Sequence, residues 1–248
     1  MRDDMRMAAS LAAIAMCVAT AAHEAAGHGS ACLLAGGRIT ELTSVYFRCT
    51  AGSASVSLAG PLGNLTAGIL ALIALKAVPP RAVRARLLAV GVMALSLFWA
   101  AGYLVDSMIE NRGDYAIAGQ VFLGEPSGLW RAPGILLGIG LYLTAARLVA
   151  GAMRGFSPAR TRNLLRATWL AATAFAMLAA VFYTPDRSGA IGQGFLEIGA
   201  NSFPLLIIGW RKKEPENDAP AITFDTGWFA AAVAIFAVFA ATLGRGIF

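Results

Sequence analysis

Charged residues are scarce in this chain. Asp, Glu, Lys and Arg make up 14% of its 248 residues, where a soluble domain carries about 25%. Hydrophobic residues make up 58%, and the mean hydropathy is +0.65. That balance excludes a disordered chain, a coiled coil and a nucleic-acid-binding module, all of which need abundant charge. It also argues against an ordinary soluble enzyme. Cysteine is rare as well: Cys17, Cys32 and Cys49 form no CxxC and no metal-ligand spacing. Their odd number argues against a disulfide framework, so packing residues or free thiols are expected. Repeats, low-complexity tracts and long linkers are missing too. Rarest of the chemically active residues is histidine: only His23 and His28 occur, five positions apart.

What is abundant is apolar runs of membrane-spanning length, about 20 residues each. Seven candidates stand out: 7–34, 60–79, 85–108, 133–153, 164–184, 189–210 and 226–244. The sixth holds Glu197, Asn201, Pro204 and several glycines, and is expected to be broken or re-entrant. The fold class is therefore an all-α polytopic membrane protein of six or seven spans, forming one membrane domain over 1–248. The front of the chain, with Arg2, Arg6 and small residues at 19–22, has the features of a secretory signal. Apolar character resumes at 31–35, however, so one uncleaved helix over 7–34 is expected.

The net charge of +6 and a pI near 9.7 fit basic cytoplasmic loops. Under the seven-span reading, 14 Lys and Arg fall on the N-terminal side and 6 on the other. The positive-inside rule then places the N-terminus in the cytoplasm. The basic residues at 147–166 and 211–213 read as inner-leaflet anchors. Between the first two spans, 39–47 and 53–58 are rich in Thr, Ser, Val and Tyr, with 48–52 between them. They read as the two strands of a short β-hairpin. Irregular backbone at membrane depth implies a wet cavity or a protein-lined one.

The residues that could carry chemistry cluster in the first span, in Ala22-His23-Glu24-Ala25-Ala26-Gly27-His28-Gly29. Ionisable side chains inside a membrane are functional by default. Neutral imidazole binds zinc, and a neighbouring glutamate can take a proton from a metal-activated water. The spacing is unusual. The familiar His-Glu-x-x-His pair lies about 40° apart around an α-helix, whereas a five-residue separation gives about 140°. A π-bulge at 25–27 would bring both rings back to one face, and Gly27 and Gly29 make such a distortion feasible. Two other readings stay open. Both histidines could be packing residues, or Glu24 and His28 could be the ligand pair on a regular helix.

His23-Glu24 and Gly27-His28, followed by Leu33-Leu34-Ala35-Gly36-Gly37-Arg38, resemble the site-2 protease family of intramembrane zinc metalloproteases. Gly60-Pro61-Leu62-Gly63-Asn64 is similar to that family's Gly-Pro-x-x-Asn motif, and Gly113-Asp114-Tyr115 to its Gly-Asp-aromatic ligand segment. The resemblance covers residues 10–120. It departs from the family in the extra residue between the histidines and in lacking a Leu-Asp-Gly context around Asp114. What it implies is a metalloprotease core at 7–120, with further helices at 133–248. It also implies Zn2+ held by His23, His28 and Asp114 (Asp106, at the end of the third span, competes for that place). Glu24 would be the catalytic base, and Asn64 a donor to the substrate carbonyl. The substrate would be a membrane protein cut in or near its span. The partners expected are that substrate and the bilayer, with no nucleic acid. The expected location is a bacterial inner membrane with the site toward the outer face. All three motifs fall on that face under the charge-derived orientation. A non-catalytic relative binding partners, and a transporter or channel using Glu24, Glu197 and Asp114 as ion sites, are the alternatives.

Overall fold

The computed structural model describes residues 3–209 and 219–248. Helix α1 (Met5–Ala21) opens on Asp4, whose carboxylate accepts from the backbone N–H of Arg6 and Met7, the N-capping role that short polar residues favour. The helix runs on without a break as a π-helix, Ala22–Gly29, and ends as α2 (Ser30–Leu34). Then come β1 (Ile39–Leu42), β2 (Phe47–Cys49), α3 (Ala54–Ala77), α4 (Val83–Glu110), α5 (Gly113–Leu123) and α6 (Gly128–Ala152). After these follow α7 (Pro158–Ala180), α8 (Arg187–Gly194), a second π-helix at Phe195–Ala200, a 3-10 turn at Phe203–Leu206 and α9 (Thr226–Phe239), which runs on into a third π-helix at Ala240–Gly244 that carries no acid.

Among the described residues, six helices are long and apolar enough to cross a membrane: Met5–Leu34, α3, α4, α6, α7 and Thr226–Gly244. Helix α4 is central. Of its most apolar stretch 72% is buried, against 17% for α6. Leu129, Leu136, Leu137 and Leu143 of α6 are exposed, which is the surface a helix offers to lipid tails rather than to water. A single apolar cluster runs from Met7 to Leu243 through Phe98, Trp99, Leu164 and Leu165. The front and rear helices therefore share one core. Asp3 ties the two ends together, accepting from Arg160 at 2.8 and 2.9 Å and from the Ile222 backbone N–H at 2.8 Å. Burial alone would raise its carboxyl, but the Arg160 guanidinium and the Ile222 N–H hold it below the usual carboxylate range.

The sixth sequence candidate, 189–210, is broken as expected: no single helix in its described part is long enough to cross a membrane, yet the segment runs back along α7 from Arg187 beside Val181 to Gly209 beside Arg162. Its described part is α8, the π-helix and the 3-10 turn, packed along α7. Pro204 offers no N–H to a continuing helix, and a 3-10 turn follows from that position. Residue 210, and the basic residues at 2 and 211–213, lie outside the described residues.

The hairpin forms, but not where its composition placed the second strand. The turn comes at Thr43–Tyr46, where Thr43 Oγ1 accepts from the N–H groups of Val45 and Tyr46 at 3.0 and 2.6 Å. A hydroxyl that captures two local N–H groups ends the first strand at Leu42. Glu41 then pairs with Arg48, and Leu42 with Phe47. The 53–58 stretch is helical instead. Ser53 Oγ accepts from Val56 N–H and caps α3, so β-branched composition yields there to a helix start. On the other edge of β1, Leu42 bridges Ile247 near the end of the chain.

The cysteine expectation is overturned too. Cys32 of α2 and Cys49 of β2 form a disulfide, and only Cys17 is free, buried in the core. The hairpin folds back over the end of the first helix and brings two residues 17 positions apart into bonding distance. A closed loop of that size stabilises by roughly 3 kcal/mol through the unfolded state. Replacing Cys49 with Ala is expected to lower the unfolding free energy by about that amount, measured by denaturant titration in detergent micelles. Helix content before unfolding should not change.

Candidate metal centre

The π-helix is the local feature that makes the site. Wide i→i+5 winding turns His23 and His28 toward a common point, and the structure winds that way over Ala22–Gly29. Helix α3 then presses against it through glycine. A Cβ on Gly27 would come within 2.5 Å of the Ala59 carbonyl oxygen, and one on Gly63 would overlap the Ala22 carbonyl oxygen. Gly60 is closer still to the chemistry. A Cβ there would fall on His28 Nε2 and lie 2.7 Å from His23 Nε2. The Gly-Pro-Leu-Gly-Asn segment thus brings the backbone of α3 up against both rings.

Asp114 arrives from a different direction. Helix α4 ends at Asn111 in the left-handed region (φ 55°), and Gly113 also has positive φ (78°). Two such residues reverse the chain within three positions and open α5 with Asp114 in its first turn. Tyr103 Oη accepts the Asp114 backbone N–H at 3.0 Å and fixes that turn. The carboxylate Oδ2 then lies 3.3 Å from His23 Nε2 and 3.2 Å from His28 Nε2.

These distances suit a metal. Ligands about 2.0–2.1 Å from zinc at the tetrahedral angle lie about 3.3–3.4 Å apart. The three side chains offer ligand atoms within 4.8 Å of one another, and both histidines are buried. The outer contacts of the rings agree. His28 Nδ1 lies 2.7 Å from the Val56 carbonyl oxygen. Its proton therefore sits on Nδ1, and Nε2 offers a lone pair. Asn64 lies against His23, with Nδ2 3.0 Å from Nδ1, while its own Oδ1 is buried without a partner. Amide nitrogen and oxygen exchange by a half-turn. With the amide turned over, Oδ1 accepts the Nδ1 proton, and Nε2 again faces Asp114. Trp99 stacks on His23 with ring centroids 4.4 Å apart and planes at 5°, and Phe47 stacks on His28 at 5.1 Å. The rings are clamped on their faces as well as their edges.

The positions expected from sequence therefore come together, with two qualifications of role. Asn64 is fully buried, and its amide meets a histidine rather than the cavity where a substrate carbonyl would sit. Asp106 is exposed and lines a smaller neighbouring cavity of about 190 Å³, leaving Asp114 as the acid against the rings. Glu24 lines the main cavity with His23, His28 and Asp114, is 3% exposed, and has an Oε2 with no hydrogen-bond partner.

That cavity has a volume of about 610 Å³. Its walls include residues that no motif had marked. One side is the hairpin, Val45–Cys49; another is Tyr183, Asp186, Gln193 and Glu197. Tyr183 donates to Glu41 Oε1 at 2.5 Å, and Arg48 Nε pairs with Glu41 Oε2 at 2.8 Å. The hydrogen bond to Glu41, then burial, pushes the Tyr183 phenol up to about 12, so it stays a donor. Helix α5, Trp99 and this rear wall were not legible from spacing. The one available signal was the polarity of Gln193 and Glu197 in an apolar stretch. Comparison with known proteins returned no matching family model, curated protein or solved structure.

Two substitutions test the centre apart from any activity. Gly60→Ala is expected to abolish zinc binding, read as metal per chain by elemental analysis, with helix content retained. Asn64→Ala should weaken zinc affinity by roughly 10–100-fold, measured by competition with a chelator.

Proposed function

We propose that this protein is an intramembrane zinc metalloprotease that hydrolyses peptide bonds in or near the membrane-spanning segments of other proteins. The observation that carries the reading is Glu24. A buried carboxylate with an unpartnered oxygen lines one cavity with two histidines and an aspartate set at zinc-ligand separations. Packing histidines would not need that glutamate, and leaving it unpaired in an apolar helix is costly.

His23, His28 and Asp114 would hold the ion and leave one position open. Zinc in such a site supplies a Lewis acid that polarises a scissile carbonyl and acidifies water. Glu24 then accepts the proton of the attacking water and delivers it to the leaving amine. Asn64 acts on His23, keeping Nε2 unprotonated and aimed. Strand β2 borders the cavity with Phe47, Arg48 and Cys49, while β1 occupies its other edge. An extended substrate added to the free edge would have its backbone hydrogen bonds satisfied while its own helix is unwound.

The site belongs at the outer face on two independent grounds. The excess of Lys and Arg lies on the opposite side, and the Cys32–Cys49 disulfide beside the site requires an oxidising compartment. A bacterial inner membrane meets both conditions.

Glu24→Gln decides the mechanism. The purified variant is expected to keep about one zinc per chain and to lose cleavage of a single-span model substrate by roughly 10²–10⁴-fold. A Glu24→Gln protein that cleaves as well as the wild type would refute the assigned role. A wild-type protein that binds no zinc would refute the protease reading as a whole.

A further inference from the structure

The rear wall of the cavity carries two acids that the hydrolytic reading does not use. Asp186 caps α8, accepting from Gly189 N–H at 3.0 Å. Gln193 and Glu197 follow 7 and 11 positions later, within about 20° of the same direction on a helix. Gln193 Nε2 donates to Glu197 Oε1 at 2.9 Å, so the shared face persists into the second π-helix. All three side chains line the same 610 Å³ cavity as His23, Glu24, His28 and Asp114.

Glu197 is 8% exposed. One oxygen takes the neutral Gln193 amide; the other accepts no hydrogen bond. Asp186 receives the Tyr46 hydroxyl at 3.3 Å and otherwise its own helix start. Among the described residues neither acid makes an ion pair. The one Lys or Arg in the cavity wall is Arg48, which is already on Glu41. Arg112 stands at the smaller cavity, which Glu197 also borders, without reaching either acid. A buried carboxyl with only an amide beside it is expensive to ionise. Its natural complement is a cation brought by something that enters the cavity.

We propose that the Asp186–Gln193–Glu197 face is a specificity subsite for a cationic side chain, an ammonium or guanidinium, on the substrate. The cavity has acid on this wall and its single basic residue, Arg48, on the hairpin wall. A substrate strand lying along β2 would present alternate side chains away from the hairpin sheet, and a Lys or Arg among them would pair with Glu197, the buried acid of this wall. Asp186 lies toward the start of α8 and acts as the secondary contact. This identifies a substrate class, membrane segments with a basic residue near the scissile bond, and it rests on the protease reading for the nature of its ligand.

The test uses the zinc-loaded full chain in lipid nanodiscs and three single-span Leu/Ala peptides that differ only in one Lys, Gln or Glu near the outer end. Binding is measured by fluorescence anisotropy, and cleavage separately by mass spectrometry. Wild type is expected to bind the Lys peptide at least about tenfold more tightly than the Gln peptide, as a desolvated charge pair does. Glu197→Gln should reduce that preference to about twofold or less, with zinc content and cleavage of the Gln peptide unchanged. Glu197→Lys should shift the preference to the Glu peptide. Asp186→Asn should reduce the Lys preference by a smaller factor than Glu197→Gln. Persistence of the full Lys preference in Glu197→Gln, or its absence in wild type, overturns the proposal. The two readings fail separately. If no peptide is cleaved, the protease reading falls, while the anisotropy series still decides whether this wall selects a cation.

Discussion

One backbone constraint governs this molecule: the first span must be wound as a π-helix where α3 crosses it. Five residues separate the histidines, and only i→i+5 winding sets both rings on one face. That winding gives poorer hydrogen-bond geometry than an α-helix, so something must compensate. Here it is contact. Gly27 and Gly60–Gly63 let α3 approach until carbonyls and glycine Cα atoms touch. Ser30 Oγ donates to the Ala26 carbonyl and also reaches the Gly27 carbonyl at 3.2 Å, supplying a donor where π winding leaves carbonyls short. A side chain at Gly60 would break the contact and the site together, which makes the packing and the chemistry one feature.

The polar groups around the rings form a chain of constraint outward from that contact. Val56 and Asn64 lie one turn on either side of Gly60, and each addresses a different histidine. The helix that brings the glycines therefore also sets the tautomers. Tyr103 works in the same manner from α4, holding the first turn of α5 so that Asp114 meets both rings. Arg131 bonds the Met108 and Ile109 carbonyls at 2.6 Å each. A cation there satisfies the open end of α4 and suits its dipole, and it anchors the helix whose last turn leads to Asp114.

Residue types announced the elements more reliably than they announced contacts. The spans were legible because apolar runs of sufficient length have one physical outcome in a bilayer. The π winding was legible because the chemistry of two histidines and the α-helical period could not both hold. The hairpin was legible in kind but not in register. Thr43 decided the turn through two local hydrogen bonds that no alternation pattern reveals, and Ser53 turned a β-like composition into a capped helix. The disulfide was hidden for a different reason. Cys32 and Cys49 meet only because the hairpin folds over α2, a tertiary event with no trace in their spacing. Asn64 was legible as a site residue through its motif. Its partner was not, because a side chain that serves a substrate and one that serves a ligand look alike in sequence.

The second π-helix completes this logic. Glu24 and Glu197 are both glutamates in π-helical stretches, and both face the same cavity. In an α-helix of apolar residues a lone acid is pressed against its neighbours' side chains. A π-turn widens the helix and redirects one residue without ending it. That is how a membrane protein can turn a carboxylate inward while the rest of the segment stays apolar. On the proposed reading the two windings serve different ends. The first sets ligands and a base at the bond to be cut, and stands in a full span because it must be rigid. The second stands in a broken segment, joined to the hairpin by the Tyr46–Asp186 and Tyr183–Glu41 hydrogen bonds. None of this wall's hydrogen bonds to the hairpin passes through His23, His28 or Asp114. Recognition and chemistry are thereby placed on separate elements of one cavity.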